Sequence, residues 1–214
     1  MWADGITRVA GVDEAGRGPL AGPVVAAAVI FARPVDLPGL ADSKRLTPPE
    51  RERLAQAIRA ATPMWAIGAA DAAEIDALNI LRATHLAMAR ALRALRPSAE
   101  VALIDGLPAS GLPCPHHAIV QGDARCASIA AASILAKTDR DARLRAMDAL
   151  HPGYGFARHK GYPTPEHRRA LQRLGPCPIH RRTYRPVAEL LVPTQLGELP
   201  WASADTIAHQ HPRE

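Results

Sequence analysis

The chain has 214 residues, 48% of them hydrophobic, which is enough for one sizeable buried core and one main domain. Its longest uncharged apolar run, residues 127–136, is too short to cross a bilayer, and no basic N-terminal segment leads into an apolar one, so we expect neither a membrane-spanning nor a secreted protein. The formal net charge of +5 fits an anionic partner, and three cysteines without C-x-x-C spacing fit a reducing compartment, so we expect a cytoplasmic protein.

The most informative segment lies near the N-terminus, where a predicted strand over residues 9–12 runs into two adjacent carboxylates, Asp13 and Glu14. Successive side chains of a strand point to opposite faces, so we expect the strand to end or to bulge at these acids. The loop Gly16-Arg17-Gly18 follows directly. Because glycine lets a ligand approach the backbone and Arg17 adds positive charge, this Gly-Arg-Gly loop is predicted to contact a nucleotide or a nucleic acid.

The same glycines also begin the G-x-G-x-x-A pattern of a dinucleotide-binding fingerprint, but their context argues against that function. The fingerprint requires a helix N-terminus after the glycines to receive the pyrophosphate. Here Pro19 and Pro23 flank the loop, and residues 24–31 have the continuous apolar pattern of a buried strand. Two carboxylates just before the loop would also repel a pyrophosphate. We therefore set the dinucleotide interpretation aside.

The rest of the chain alternates helices and strands. Thr47-Pro48-Pro49-Glu50 has capping-box spacing and predicts a helix to about residue 61, and Asn79 is the expected cap of a helix that Pro97 ends. Further strands are predicted at residues 24–31, 65–70, 100–104 and near 117, and further helices over 127–150 and from Thr164 to residue 174. Because the first two strands form a meander, we expect an α/β domain with a mixed five-stranded sheet that is partly antiparallel.

Basic charge is concentrated after the long helix. Residues 151–192 contain eight Lys or Arg and only two Asp or Glu residues. Such a patch is typical of proteins that bind a polyanion, although a basic face that serves only solubility has the same composition. Only three of the 26 basic residues are lysines, and their compact ammonium groups suit point contacts with phosphate. Residues 193–214 show no periodicity and are expected to form a loosely docked or disordered tail.

Four acidic residues stand at the ends of predicted elements. Asp105 ends a strand as Asp13 does, Glu14 follows Asp13, and Asp123 precedes the long helix. Taken singly, each acid is explained as a turn or cap residue. An unpaired cluster of four negative charges is costly, however, and oxygen ligands of this kind suit hard divalent cations such as Mg²⁺ or Mn²⁺. The sequence therefore predicts a site for divalent cations.

Such a site indicates phosphodiester chemistry. Two metal ions about 4 Å apart can activate a water for in-line attack on a phosphodiester and stabilise the leaving oxygen. The sequence lacks the motifs G-x-S-x-G, G-x-x-x-x-G-K-[ST] and H-E-x-x-H, which argues against a serine hydrolase, a P-loop NTPase and a zinc protease. Cys177-x-x-His180 gives only weak support for zinc, because structural zinc sites normally show two paired ligand clusters.

Taken in order, the motifs of this chain resemble bacterial ribonuclease HII. The resemblance is carried by residues 13–24, Asp42-Ser43-Lys44, Leu78-Asn79-Ile80, Ile104-Asp105-Gly106, Gly122-Asp123-Ala124, residues 131–137 and residues 159–164. The match covers residues 9–187, and the Gly-Arg-Gly form favours ribonuclease HII over ribonuclease HIII. The chain departs from the family at Tyr184, where phenylalanine is commoner, and by continuing past the usual end.

The resemblance implies a metal-dependent endonuclease that hydrolyses the RNA strand of RNA–DNA hybrids. It also implies cleavage 5′ to single ribonucleotides embedded in duplex DNA, which leaves 3′-hydroxyl and 5′-phosphate ends. The expected fold is a ribonuclease H-like mixed five-stranded sheet flanked by helices, with a C-terminal helical region, in one catalytic domain over residues 1–192. The implied cofactor is Mg²⁺ or Mn²⁺, and we expect a monomer with nucleic-acid partners and no membrane contact.

The resemblance also assigns roles by motif position. Asp13, Glu14, Asp105 and Asp123 look like the family's metal-binding and catalytic carboxylates. Gly16, Arg17 and Gly18 look like the loop that senses the 2′-hydroxyl of the ribonucleotide. Tyr162 looks like the aromatic residue that packs on the sugar of the following deoxynucleotide, and Lys44 and Lys137 fit phosphate contacts.

Two alternatives stay open at this point. A structure-specific DNA nuclease on the same fold would share the acids but would not need the Gly-Arg-Gly loop or Tyr162, and it would cut an all-DNA duplex. A non-catalytic nucleic-acid-binding module would show salt-dependent binding without turnover.

Overall fold

The computed structural model describes residues 5–40 and 46–192, and a mixed five-stranded sheet forms its centre. Strands β1 (Val9–Ala15), β2 (Val24–Ile30) and β3 (Trp65–Ala70) form an antiparallel meander. Strands β4 (Val101–Asp105) and β5 (His116–Ile119) follow β1 in parallel, so the order is β3-β2-β1-β4-β5. The predicted five strands and their partly antiparallel arrangement are confirmed.

Of the helices within residues 5–40 and 46–192, four were predicted and four were not. The predicted ones are α1 (Pro48–Ala61), α3 (Ile80–Ala94), α5 (Ala127–Leu150) and α7 (Pro165–Leu174). The others are α2 (Ala72–Leu78), α4 (Gly122–Arg125), α6 (Phe156–His159) and α8 (Arg185–Leu191). Each of these four has seven residues or fewer, which is too short for a clear period in the hydrophobic pattern.

Both predicted helix caps are present. The backbone N–H of Thr47 donates to Glu50 Oε2 at 2.8 Å, which is one half of the capping box of α1. The side chain of Asn79 accepts a hydrogen bond from the backbone N–H of Arg82 at 3.1 Å and so caps α3.

The sheet is covered on both faces, which is why every residue of β2 is buried. One face of β2 packs with α3, and the other packs with α5 and α1. Helix α5 crosses β1 so closely that a Cβ on Gly11 would overlap the backbone of Ser128. This close approach places the first turn of α5 against the middle of β1.

Helices α6, α7 and α8 form the expected C-terminal helical region, which has small buried clusters of its own. Among the described residues, no helix has the length and apolar character needed to cross a membrane. The predictions for Lys44 and for the tail over residues 193–214 lie outside the described residues.

Candidate active site

Two of the predicted acids stand at the same edge of the sheet. Strands β1 and β4 are parallel neighbours, and Val12 pairs with Ile104. Asp13 and Asp105 come next on their strands, so both carboxylates lie where the pairing of β1 with β4 ends. Parallel pairing therefore brings together two residues that are far apart in sequence.

The prediction that β1 ends or bulges at the two acids is wrong. Asp13 pairs regularly with Ala27, and Glu14 pairs with Ala26. The ladder continues to Ala15, because β2 offers an unbroken apolar partner strand along this whole length. Asp13 is therefore held by sheet hydrogen bonding rather than by a loop.

Asp13 is the most perturbed acid of the cluster. Burial and the neighbouring charge of Glu14 raise the pKa of Asp13 to about 8, and the charge of Asp105 acts in the same direction. Hydrogen bonds from the Ser133 hydroxyl and from the backbone N–H of Glu14, the latter at 2.7 Å, oppose this rise. A cation at this point would relieve the repulsion that raises the pKa.

The pKa of Glu14 is raised as well. Burial raises the pKa of the Glu14 carboxyl, and the charge of Asp105 adds to that effect. The guanidinium of Arg17 opposes it, with Arg17 Nη1 3.3 Å from Glu14 Oε1. The Gly-Arg-Gly loop is thus tied to the carboxylates by a direct ion pair.

The remaining two acids, Asp105 and Asp123, both lie at the start of α4. The backbone N–H of Gly122 donates to Asp105 Oδ1 at 2.7 Å, which fixes the Asp105 carboxylate against this turn. Asp123 is the next residue and is 4% exposed. The turn therefore places Asp123 within one residue of a contact with Asp105.

The chemistry of this donor set fits a hard divalent cation. Its members are carboxylates, and burial together with the charges of neighbouring acids raises the pKa of Asp13 and of Glu14. Across residues 5–40 and 46–192, however, no three His, Cys, Asp or Glu side chains are already arranged to hold one ion jointly. The acids are gathered at one edge, but they do not form a preassembled cage.

Tyr162 lies beside the Gly-Arg-Gly loop. A Cβ on Gly18 would be 4.0 Å from Tyr162 Cε1, and the Tyr162 side chain is 41% exposed. Glu14, Gly16 and Tyr162 are among the residues that line one open cleft of about 310 Å³. The structure therefore brings Glu14, the Gly-Arg-Gly loop and the Tyr162 ring to one surface.

Lys137 is also in this cleft, but its ammonium is already engaged. Lys137 Nζ lies 2.7 Å from Asp141 Oδ1, and the same carboxylate is 3.7 Å from Arg51 Nη1. The Lys137 ammonium is also 5.8 Å from the centroid of the Tyr162 ring. A phosphate contact from Lys137 would compete with this ion pair.

Two buried arginines were missed by the sequence reasoning. Arg181 is fully buried and donates to the carbonyl oxygens of Gly16, Arg17 and Gly22. Arg140 is equally buried and donates to the carbonyl oxygens of Ala21 and Pro23. Both side chains hold the loop that follows the acids.

A signal for Arg140 is present in the sequence. It falls in the four-residue spacing of Ala132, Ala136 and Leu144, which line the buried face of α5. A charge on such a face indicates a specific buried acceptor. Arg181 has no comparable signal. It stands next to a second arginine, the exposed Arg182, and nothing in the sequence indicates which of the two is buried.

Tyr184 also contacts the loop. Its hydroxyl donates to the carbonyl oxygen of Arg17 at 2.6 Å and accepts a hydrogen bond from Arg181 Nη1 at 3.0 Å. The Tyr184 hydroxyl, which a phenylalanine would lack, therefore links the loop to Arg181 through two hydrogen bonds.

Comparison with known proteins agrees with this geometry. The sequence pattern of the family described as ribonuclease HII matches residues 10–187. The chain is 57% identical over 187 residues to the ribonuclease HII of Halorhodospira halophila (strain DSM 244 / SL1), covering 86% of this chain and 94% of that protein. It is 54% identical over 201 residues to the ribonuclease HII of Anaeromyxobacter sp. (strain Fw109-5), covering 93% of this chain but only 64% of that longer protein.

The fold is similar to the crystal structure of the ribonuclease H2 from Pyrococcus horikoshii OT3. The TM-score is 0.71 at 27% sequence identity, and the match covers 86% of this chain and 96% of that one.

Proposed function

Since the chain belongs to the ribonuclease HII family, we propose that it hydrolyses the RNA strand of RNA–DNA hybrids and also cuts 5′ to single ribonucleotides in duplex DNA, leaving 3′-hydroxyl and 5′-phosphate ends. It is a ribonuclease H enzyme. The observation that carries the proposal is the meeting of Asp13, Glu14 and Asp105 with the Gly-Arg-Gly loop and Tyr162 at one edge of the sheet.

Ribonuclease H enzymes depend on a divalent metal ion. In this chain Asp13, Glu14, Asp105 and Asp123 would hold it, and either Mg²⁺ or Mn²⁺ suits their oxygen ligands. When bound, the ion would lower the pKa of a water and offset charge on the phosphate. The protein's own contribution is to orient the acids, through the Ser133 hydroxyl on Asp13 and the Gly122 N–H on Asp105.

Recognition of the sugar follows from the loop and the ring. The backbone at Gly18 is open, since a Cβ there would meet only Tyr162 Cε1 at 4.0 Å, and it would leave room for a ribose and its 2′-hydroxyl. The space beside Gly16 is instead filled by the Arg140 side chain. The ring of Tyr162 would pack on the next sugar and reject a 2′-substituent there. The pair would read an RNA-to-DNA junction, while Lys44 and Lys137 would contact phosphates, Lys137 in competition with its ion pair to Asp141.

The test is cleavage of a labelled DNA duplex that carries one ribonucleotide. An all-DNA duplex and a continuous RNA–DNA hybrid serve as controls, each with Mg²⁺, with Mn²⁺ and with EDTA. Metal-dependent cutting 5′ to the ribonucleotide and within the hybrid, but not in DNA alone, is the expected result. Equal cutting of the all-DNA duplex would indicate a structure-specific DNA nuclease, and salt-dependent binding without cutting would indicate a binding module.

We propose that the enzyme acts as a monomer. The cysteines Cys114, Cys126 and Cys177 are all free thiols, as a reducing compartment would require. A cytoplasmic location stays a prediction from this cysteine pattern.

A further inference from the structure

We propose that Arg140 is a positioning residue that holds the Gly-Arg-Gly loop and Tyr162 at a fixed separation, so that two neighbouring sugars of the substrate are tested together. The inference rests on the proposed function, because it concerns the same cleft. It adds a residue to which neither the sequence pattern nor the resemblance assigns a role.

Arg140 bridges two segments that are distant in sequence. Its Nε donates to Pro23 O at 3.0 Å, and its Nη2 donates to Ala21 O at 3.1 Å, both beyond the Gly-Arg-Gly loop. The same Nη2 donates to Lys160 O at 3.1 Å, two residues before Tyr162. One planar guanidinium therefore connects both segments that carry the proposed sugar contacts.

The guanidinium also touches the groups that would meet the substrate. Arg140 Cζ lies 5.8 Å from the centroid of the Tyr162 ring, within range of a cation–π contact. A Cβ on Gly16 would overlap Arg140 Nε and Cδ. Arg140 is thus in contact with the loop and close to the ring.

The two segments also meet backbone to backbone. The N–H of Leu20 donates to Gly161 O at 2.8 Å. Gly161 has φ +80, and a Cβ there would lie 2.5 Å from Ala21 O, so no other residue fits without moving the chain. Because the two segments are in direct contact, a displacement caused by substituting Arg140 also moves the Tyr162 segment.

The acceptors explain why arginine is required. The three hydrogen bonds that Arg140 donates within the described residues all end on backbone carbonyls. Burial and the charge of Arg181 lower the pKa of Arg140 to about 10, so it remains protonated at neutral pH. A lysine would keep the charge, but its single ammonium cannot reproduce the rigid fork that reaches both segments.

The test compares Arg140→Lys and Arg140→Met with Arg143→Met. Arg143 lies one turn further along α5, is 46% exposed and pairs only locally with Asp139, so it is a matched control. Substrates are a duplex with a single ribonucleotide and a continuous RNA–DNA hybrid. We expect kcat/KM on the single ribonucleotide to fall about 10- to 100-fold in both Arg140 variants, as for a misplaced positioning group, with a smaller loss on the hybrid.

A double-mutant cycle with Tyr162→Ala separates positioning from general destabilisation. If Arg140 acts through the ring, Arg140→Lys adds little further loss of single-ribonucleotide preference in the Tyr162→Ala background. An equal loss on both substrates, or full additivity, would overturn the inference. If Arg140→Met does not fold, Arg140→Lys carries the test.

Gly161→Ala provides an independent test. It displaces the Tyr162 segment without altering Arg140, and we expect it to lower the preference for a single ribonucleotide as well.

Failure of the inference and failure of the proposed function are distinguishable. Wild-type protein that does not cut next to a ribonucleotide contradicts the proposed function. Wild-type protein that cuts there, together with Arg140 variants that keep the preference, contradicts only the role of Arg140.

Discussion

At the scale of single residues, Asp13 is needed for the proposed chemistry and destabilises the metal-free fold. Its pKa is raised from 3.8 to about 8, so the folded protein resists ionising a group that the unfolded chain ionises readily. The stability linked to Asp13 is complete below pH 4 and is lost as the pH rises towards 8. We therefore expect Asp13→Asn to abolish cleavage but, without metal, to stabilise the protein at pH 8 by at least about 1 kcal/mol, the equivalent of one pKa unit.

Thermal unfolding in EDTA at pH 5 and at pH 8 checks this expectation, with Asp139→Asn as the same change at a partly exposed site of α5. The difference in Tm between Asp13→Asn and wild type should grow with pH, and Mg²⁺ should raise the Tm of wild type more than that of the variant. A difference in Tm that does not change with pH would mean that folding does not raise the pKa of Asp13.

Tyr184 offers a second test at this scale. Tyr184→Phe removes the hydrogen bond to Arg17 O and should lower the free energy of unfolding by about 1 kcal/mol. Tyr154→Phe is a matched control, because the Tyr154 hydroxyl donates to Gly175 O at 2.6 Å, away from the loop. Urea unfolding should show similar losses for both, whereas only Tyr184→Phe should reduce the preference for a single ribonucleotide. A similar reduction in both variants would show that the hydroxyl of Tyr184 serves stability alone.

The acids were predictable from sequence, and their supports were not. Asp13 and Asp105 each follow an apolar strand and precede a glycine-containing loop, so their meeting follows from strand pairing. Tyr162 was placed at the site only by the family resemblance. Arg181 binds backbone carbonyls about 160 positions away. Because every residue has a backbone carbonyl, the sequence does not show which ones accept a hydrogen bond from a side chain.

At the scale of elements, the C-terminal helical region is organised around buried histidines. His167 lies between His159, which stacks on it at 4.4 Å between ring centroids, and His180, whose Nε2 is 3.1 Å from His167 Nε2. His167 Nδ1 also lies 2.9 Å from Tyr162 O. The cluster therefore supports the segment that carries the aromatic ring.

This arrangement predicts acid sensitivity of the region. Burial, followed by the charge of His167, lowers the pKa of His180 from 6.5 to about 4, and burial lowers that of His167. The stability that these groups contribute is present above pH 6.5 and is lost as the pH falls towards 4. We expect amide exchange in α6 and α7, corrected for its intrinsic pH dependence, to lose protection at pH 5 before the sheet does. His180→Asn should flatten this dependence, and uniform loss of protection across sheet and helices would contradict the assignment.

The long elements were predictable because several local signals agreed. Thr47 and Glu50 mark the start of α1, and the complete burial of β2 matches its unbroken apolar run in the sequence. The short helices α4 and α6 begin after residues in the left-handed region, Gln121 and Gly155, where tertiary contacts rather than periodicity set the chain direction. The extension of β1 through its acids was missed because pairing with β2 decides it.

At the scale of the whole molecule, we predict that residues 193–214 are dispensable for folding and cleavage. Val187 is the last fully buried residue of the described chain and belongs to a cluster with Leu20 and Leu171. Residues 193–214 contain one Arg and three acidic residues, so their removal makes the protein more basic. A chain that ends at Val192 should keep the Tm and the kcat of the full chain, and it should bind duplex at least as tightly at low salt.

The comparison uses thermal unfolding, cleavage of a single-ribonucleotide duplex, and duplex affinity from 50 to 200 mM salt, a range in which phosphate contacts change affinity by about 10³-fold or more. The removed segment is net acidic. If the shortened chain binds duplex more tightly at low salt and the two affinities become equal at high salt, the effect of the segment is purely electrostatic. A lower Tm or lost cleavage would instead place residues beyond 192 inside the catalytic domain, and the boundary predicted there would be wrong.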